Sequence, residues 1–251
     1  MNLSSNYYYF KDAIPHEICD RIIKLGLEKI ENYKKEGQKI NAVTFNDTQK
    51  DALPNAAPAG DLTKQDLKDK NVDLYYERDS KVSWLSDKWL YELVHPFIHE
   101  ANKRAGWNWQ WDYSEQFQFT VYEPDGFYSW HNDGPSDHNG VFKRYIHGVT
   151  EVPIKPDGRI PEGYASDDNM IGKVRKISLT INLNSPGEYE GGELKFDLGN
   201  HTSGDQIVVC NEIKTKGSIV VFPSFLPHCV APITKGTRYS LVLWTLGNPF
   251  K

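Results

Sequence analysis

Several features are scarce in this sequence, and each absence argues against a class of protein. No apolar run approaches the roughly 20 residues that a membrane-spanning helix needs. The start of the chain has neither a positive flank nor an apolar stretch, so we expect no secretory signal. The three cysteines are odd in number and lack metal-type spacing, which favours reduced thiols in a cytoplasmic protein: Cys19, Cys210 and Cys229.

An excess of basic residues is also missing. The 251 residues include 29 lysines and arginines against 34 aspartates and glutamates, which gives a net charge of −5. Nucleic-acid-binding proteins usually have a basic stripe, so this balance argues against such a partner. A composition of 39% hydrophobic and 25% charged residues is typical of a globular protein with a substantial core. We expect one domain over residues 1–251.

The first part of the chain has the apolar spacing of two helices. One begins near Pro15 and ends at Gly37, and the other runs from Ser86 to Gly106. Residues 46–71 between them are polar and rich in Pro, Ala and Gly, which predicts a loop or a cover. Residues 72–85 predict a strand followed by a turn.

From Trp107 onward the pattern changes to short β-strands. Eight runs rich in Val, Ile and aromatic residues are separated by turn residues: 107–122, 126–131, 174–184, 193–198, 206–213, 217–222, 228–233 and 237–246. Such a run without intervening helices is typical of an antiparallel sandwich or barrel. The predicted class is therefore α+β, with the helices packed on one sheet. Residues 134–172 lack periodicity, as in a lid or a disordered loop.

Three polar side chains in the β region form a candidate metal site. His131 and Asp133, in FYSWHND, lie on the same side of an extended chain because side chains alternate along a strand. His228 opens a later strand and would add a second imidazole. Two histidines and one carboxylate form the facial triad of non-haem Fe(II) oxygenases. An HxD pair alone also fits a turn aspartate and a strand-end histidine of structural use.

Arg238 begins the last predicted strand and accompanies this site. By parity it shares one strand face with Ser240, Val242 and Trp244. An arginine that points into a barrel is costly unless it meets an anion, and its guanidinium can hold a carboxylate with two parallel hydrogen bonds. The alternative is a surface ion pair at the start of a strand.

Two other strands have one polar face. The residues on these faces are Gln116, Gln118, Thr120 and Tyr122 in one strand, and Ser178, Thr180 and Asn182 in the other. Either strand alone could be exposed on that face. Because both are close in sequence to the candidate site, we interpret the polar faces as the lining of an interior pocket for a small acid and a metal.

The order of these motifs resembles that of a known family. QFTVYEPDGFYSWHND is followed by RKISLTINLNSPGEYEGGELKF and then by KGSIVVFPSFLPHCVAPITKGTRYSLVLW. This set is similar to 2-oxoglutarate- and Fe(II)-dependent dioxygenases of the prolyl-4-hydroxylase-like branch, which includes the PKHD-type hydroxylases. Phage-encoded members have a similar ending, which would place the protein in a host cytoplasm. Arg78 and Ser80 match an RxS-type segment of the family.

The resemblance implies a fold and a set of site residues. Residues 107–251 would form a double-stranded β-helix, a jelly-roll barrel, supported by helices and strands of residues 1–106. His131, Asp133 and His228 would hold Fe(II), and Arg238 would bind the 5-carboxylate of 2-oxoglutarate, with O2 and L-ascorbate as further requirements. The remaining expected contacts are Gln118, Tyr122, Ser178, Thr180, Asn182 and Trp244 around the cosubstrate, with Asn182 where an aromatic residue is common, and Tyr128 facing the substrate.

The branch further implies a hydroxylase that acts on a peptide or protein, with prolyl residues as the leading acceptor and succinate and CO2 as products. A small-molecule substrate is an alternative. A cupin-like metal-binding or 2-oxoglutarate-sensing module without turnover is another, although cupins usually have HxH and a later glutamate. Residues 46–71 and 134–172 are candidate covers of the barrel mouth. Trp107, Trp109 and Trp111, as alternate strand residues, favour a core role over a binding platform.

Overall fold

A computed structural model describes residues 5–45, 76–134, 173–199 and 206–250 of the protein. These residues form two α-helices, fourteen β-strands and a short 3₁₀ turn. The elements are β1 (Tyr8–Phe10), α1 (His16–Lys35), β2 (Asn41–Phe45), β3 (Tyr76–Leu85), α2 (Lys88–Arg104), β4 (Tyr113–Ser114), β5 (Phe117–Tyr122), β6 (Phe127–His131), β7 (Val174–Asn182), β8 (Tyr189–Gly191), β9 (Leu194–Asp197), β10 (Ile207–Val209), the 3₁₀ turn (Asn211–Lys214), β11 (Ile219–Pro223), β12 (His228–Val230), β13 (Ile233–Gly236) and β14 (Arg238–Gly247).

Twelve of the strands form one antiparallel sheet that curls on itself. The order is β1-β11-β7-β14-β5-β3-β6-β12-β9-β10, with β2 on β3 and β4 on β14, while β8 and β13 pair separately. Strand β3 makes the bend, because its residues 81–85 pair with β5 whereas Arg78 and Asp79 pair with β6. The curl brings β6 and β12 opposite β7 and β14, so side chains on the concave face point at one another.

The convex face of the sheet is covered by the two helices, as the α+β prediction expected. Ile22 of α1 and Val94 of α2 are fully buried in one core with Phe119 and Leu241. Gly26 permits this contact, since a Cβ there would lie 2.2 Å from the Phe119 ring. Within the described residues, neither helix combines the length and apolarity needed to span a membrane.

The strand predicted over residues 107–122 begins later than expected. Residues 107–112 form a loop that Asn102, at the end of α2, holds in place: its side-chain amide donates to the Trp109 carbonyl, and its Oδ1 accepts from the Trp109 N–H. Asn108 has a φ of 53°, which a strand does not permit. Trp107 is buried and stacks on Trp109 with centroids 5.5 Å apart, so these tryptophans do not alternate on a strand.

Two other boundaries differ from the sequence prediction. The turn expected late in residues 72–85 is absent, because β3 stays extended from Tyr76 to Leu85 while it changes partner from β6 to β5. The strand predicted over residues 228–233 is divided into β12 and β13 around Pro232, which has no N–H for a ladder. The candidate covers, residues 46–71 and 134–172, lie outside the described residues apart from Gly134.

Candidate metal centre

His131 and His228 face each other across two neighbouring strands. They end β6 and begin β12, and their Cα atoms are register partners. The Nδ1 of His131 lies 2.8 Å from the Ser129 carbonyl oxygen, and the Nδ1 of His228 lies 2.9 Å from that of Leu226. A carbonyl oxygen only accepts, so each Nδ1 carries a proton, and Nε2 is the ring nitrogen whose lone pair can bind a metal.

Asp133 completes the group. One carboxylate oxygen lies 3.7 Å from the His131 Nε2 and the other lies 3.5 Å from the His228 Nε2. The three ligand atoms all lie within 4.8 Å of one another. Two ligand atoms of one ion with bonds of about 2 Å lie at most about 4 Å apart, and both carboxylate–imidazole separations meet that limit. Such a set binds a borderline divalent transition metal and leaves part of the coordination sphere open.

The charges at this group favour metal binding over protonation. Burial opposes ionisation of Asp133, but the two imidazoles and the Arg175 guanidinium outweigh it and hold the pKa of that carboxyl well below its usual range. Burial, followed by the proximity of His131, lowers the pKa of His228 to about 4. At neutral pH the site therefore contains a carboxylate and a neutral His228, which are the forms that bind a cation.

Arg238 lies in the same cavity as the three candidate ligands. Its side chain is 2% exposed, and the cavity wall includes His131, Asp133 and His228. The Arg238 Nε is buried and has no hydrogen-bond partner among the described residues. A buried cation with an unpaired N–H is costly, and a carboxylate at this position would satisfy it. The cavity thus joins a metal-type donor set to an anion-binding group.

A glycine makes room for this arginine. A Cβ on Gly192 would lie 3.1 Å from the Arg238 Cδ and 2.4 Å from the Ile233 Cδ1. Gly192 also has a φ of 66°, which L side chains rarely adopt. The second glycine of the EGGEL segment is therefore favoured by its backbone conformation and by the close approach of the Ile233 and Arg238 side chains.

Most of the other residues expected to contact the cosubstrate or the substrate line this cavity, and two, Ser178 and Asn182, do not. Of the polar strand faces predicted to line it, Gln116 is exposed and Thr120 is also not in the wall. The lining includes Gln118, Tyr122, Tyr128, Thr180 and Trp244, along with Ser240 and Val242. Ser178 is fully buried and bonds instead to the Ser224 hydroxyl at 2.9 Å. The Asn182 side-chain amide donates to the carbonyls of Asn184 and Lys214, so it braces a neighbouring loop.

Tyr128 supports the ring of His131. The pairing of β12 with β6 slips between His228–His131 and Val230–Tyr128, so β6 has one extra residue there. This bulge puts Tyr128 and His131 on the same face, and their rings stack with centroids 3.5 Å apart. Burial raises the pKa of Tyr128 to about 12, so it stays a neutral phenol beside the site.

Two buried arginines were not assigned a site role from the spacing of residues. Arg78 donates to the Gln118 side-chain oxygen at 2.7 Å and lies 4.6 Å from the Tyr128 ring centroid. Arg175 donates to the Glu115 carboxylate and to the Asp133 backbone carbonyl. The only signal for Arg78 was the RxS segment. No pattern in the sequence indicated a site role for Arg175, because parity along β7 places its side chain on the other face of the strand from Ser178 and Thr180.

A comparison with protein-family models identifies the family. The model of the 2OG-Fe(II) oxygenase superfamily matches residues 117–246, which is more than half of the chain and includes every candidate ligand. The chain belongs to the 2OG-Fe(II) oxygenase superfamily. The family uses Fe(II), 2-oxoglutarate and O2, and the His–Asp–His group beside Arg238 fits that set.

Similar sequences are named hydroxylases. A PKHD-type hydroxylase of Xylella fastidiosa strain 9a5c is 33% identical over 128 residues, which are 51% of this chain and 42% of that protein. A PKHD-type hydroxylase of Delftia acidovorans is 40% identical over 74 residues, 29% of this chain and 30% of that protein. The matched part thus spans less than half the length of these relatives.

Solved structures confirm the fold. A prolyl-4-hydroxylase of Pseudomonas putida aligns with a TM-score of 0.52 at 14% identity and covers 97% of this chain and 94% of its own. A prolyl hydroxylase of Trichoplax adhaerens, solved with a peptide fragment of a hypoxia inducible factor, aligns with a TM-score of 0.54 at 15% identity and covers 96% and 83%. The predicted double-stranded β-helix with N-terminal helices is confirmed.

Proposed function

We propose that this protein is an Fe(II)- and 2-oxoglutarate-dependent hydroxylase of peptidyl substrates, with a prolyl residue as the leading acceptor. One observation carries the oxygenase activity: His131, Asp133 and His228 converge in a cavity that is also lined by the buried Arg238, whose Nε has no hydrogen-bond partner among the described residues. The names of the relatives support a hydroxylase, and the names of the structural neighbours support a prolyl acceptor.

The donor atoms fit Fe(II) as the resident metal. The two Nε2 lone pairs and the Asp133 carboxylate would hold it, with the Nδ1 protons fixed by the carbonyls of Ser129 and Leu226. When bound, Fe(II) supplies a site for O2 and the electrons for its activation. The overall reaction places one oxygen atom of O2 in succinate and the other in the substrate as a hydroxyl group, and CO2 leaves from 2-oxoglutarate.

We assign some residues that line the cavity to binding of the cosubstrate and others to binding of the substrate. Arg238 would bind the distal carboxylate of 2-oxoglutarate, with Tyr122 and Thr180 in the same wall. Trp244 lies six residues further along β14, and its buried indole N–H has no partner among the described residues. The resemblance placed Trp244 beside the cosubstrate; we propose instead that this N–H donates to an oxygen of the substrate, with Tyr128 on the opposite strand.

The test is turnover with a defined peptide panel. The iron-loaded protein is incubated with 2-oxoglutarate, ascorbate and peptides that contain proline, or matched peptides with alanine at the same position. Ascorbate is included because we expect it to keep the iron reduced. The proposal predicts succinate release and a gain of one oxygen atom only in the proline peptides. Oxidation of a free metabolite, with no peptide modified, would contradict the peptidyl assignment.

A further inference from the structure

Arg175 reaches the metal side of the sheet through an irregularity in strand β7. In the pairing of β14 with β7, Thr245 is opposite Ile177 and Leu246 is opposite Arg175, so Lys176 is passed over. An extra residue of this kind reverses which face of the strand the side chains on one side of it occupy, and Arg175 is the residue just before it. The Arg175 guanidinium consequently lies 4.1 Å from the ring centroid of Trp244, and Trp244 lines the metal cavity.

The Arg175 guanidinium is held in a fixed orientation. Its Nε and Nη2 donate to the two carboxylate oxygens of Glu115 at 2.5 and 2.6 Å, and its Nη1 donates to the Asp133 backbone carbonyl at 3.1 Å. Both charged side chains are more than 90% buried. Glu115 is also held by its backbone, because its N–H donates to the Trp244 carbonyl at 3.0 Å and its carbonyl accepts from the Tyr91 hydroxyl at 3.1 Å.

The other side of Asp133 is fixed as well. The N–H groups of Asp133 and Gly134 donate to the Ser224 carbonyl at 2.9 and 3.1 Å. A Cβ on Gly134 would lie 3.1 Å from the Arg175 Cβ, so the backbone after Asp133 is pressed against β7. An aspartate has a short side chain, and its carboxylate position therefore follows from the backbone that these contacts hold.

We propose that Arg175, oriented by Glu115, is a positioning residue that fixes the Asp133 backbone for metal binding. This inference rests on the proposed function, because it requires Asp133 to be a metal ligand. Groups that hold a ligand in place usually change metal affinity by about 10- to 100-fold when they are removed. A buried ion pair that only stabilised the fold would leave metal affinity unchanged in variants that fold.

The experiment measures metal affinity without turnover. Mn(II) is titrated into wild-type protein and into Arg175→Lys and Glu115→Gln, without 2-oxoglutarate or substrate, and free Mn(II) is read by electron paramagnetic resonance. Arg175→Lys keeps the charge but loses the planar fork, and Glu115→Gln keeps the shape but loses the charge. We expect the Mn(II) Kd to rise at least about tenfold in both. Arg104→Lys, which changes an exposed arginine paired with Glu100, is the matched control and should keep the wild-type Kd.

A third variant keeps the test decisive if the ion-pair variants do not fold. Gly134→Ala retains both charges and adds one methyl group against the Arg175 Cβ, next to Asp133 in the chain, and near-ultraviolet circular dichroism checks its fold. It should also raise the Kd. A wild-type Kd in any folded variant of this set overturns the positioning role. Failure of the wild-type protein itself to bind Mn(II) instead overturns the metal site on which the inference rests.

Discussion

His131 and His228 are direct register partners on antiparallel strands, although they are 97 residues apart in the sequence. Their ring centroids are 4.2 Å apart, and Asp133 lies within 3.7 Å of both Nε2 atoms. The pairing of β6 with β12 is thus what assembles the candidate metal site. Any change that slipped this register by one residue would separate the two imidazoles.

Removal of one candidate ligand should abolish stabilisation by metal. A ligand that binds only the folded state stabilises it by about 2.7 kcal/mol at a concentration 100-fold above its Kd. We expect Co(II) to raise the Tm of the wild-type protein and to leave the Tm of His131→Ala, Asp133→Ala and His228→Ala unchanged. His16→Ala, an exposed histidine of α1, is the control and should keep the wild-type shift. A normal shift in the Asp133 variant would place the metal elsewhere.

Loss of the Arg238 guanidinium should weaken cosubstrate binding. A buried, bidentate, charge-assisted contact contributes about 2–4 kcal/mol, which is on the order of 30- to 1,000-fold in affinity. We therefore expect Arg238→Ala to raise the apparent KM for 2-oxoglutarate by this factor, measured as succinate release. Lys235→Ala removes a nearby exposed cation paired with Glu190 and should leave that KM unchanged. Unaltered dependence in Arg238→Ala would show that the anion-binding group is another residue.

Parity along the strands predicted which side chains of the last strand share a face. Arg238 and Trp244 were placed on one face of the last strand, and both line the cavity. The same reasoning could not locate Arg175, because the bulge at Lys176 reverses the faces beyond it. A bulge depends on how two distant strands pair, and no local pattern in VRKIS reveals it. The direction of the Asn182 amide likewise depends on its hydrogen bonds to the carbonyls of Asn184 and Lys214, and the alternation of residues along a strand does not predict those bonds.

The sequence predicted the general fold better than it predicted where individual strands begin and end. Alternation of apolar residues located most strands, and helical spacing located α1 and α2 to within a few residues. The loop at residues 107–112 was missed because its tryptophans alternate as they would on a strand. The hydrogen bonds of Asn102 decide that segment, and they are tertiary contacts that override local propensity.

Gly26→Ala should destabilise the protein, although alanine is the better helix former. The added Cβ would lie 2.2 Å from the Phe119 ring, in the core between α1 and the sheet. Overpacking of this kind costs about 1–3 kcal/mol, which exceeds the gain of about 1 kcal/mol from helix propensity. Urea unfolding measures the difference, and the exposed Lys24→Ala serves as the control. A stabilised Gly26→Ala variant would show that α1 is not seated on Phe119.

The three thiols should be unreactive in the folded protein. Burial raises the pKa of Cys19 to about 11 and that of Cys210 to about 12, and it also raises the pKa of Cys229. The thiolate is the reactive form, so little of it exists at pH 8. We expect no colour with a disulfide reagent until urea unfolds the chain, when three equivalents should react. Rapid labelling of one native cysteine would contradict its burial.

One spectrum tests the central claim most directly. Fe(II) and 2-oxoglutarate are added separately and then together to the protein without oxygen, and the visible absorption is recorded. If the three side chains hold Fe(II) beside Arg238, a charge-transfer band appears only when both are present, and it is lost in Asp133→Ala. Absence of the band in the wild-type protein, or its persistence in the Asp133 variant, would contradict this account of the site.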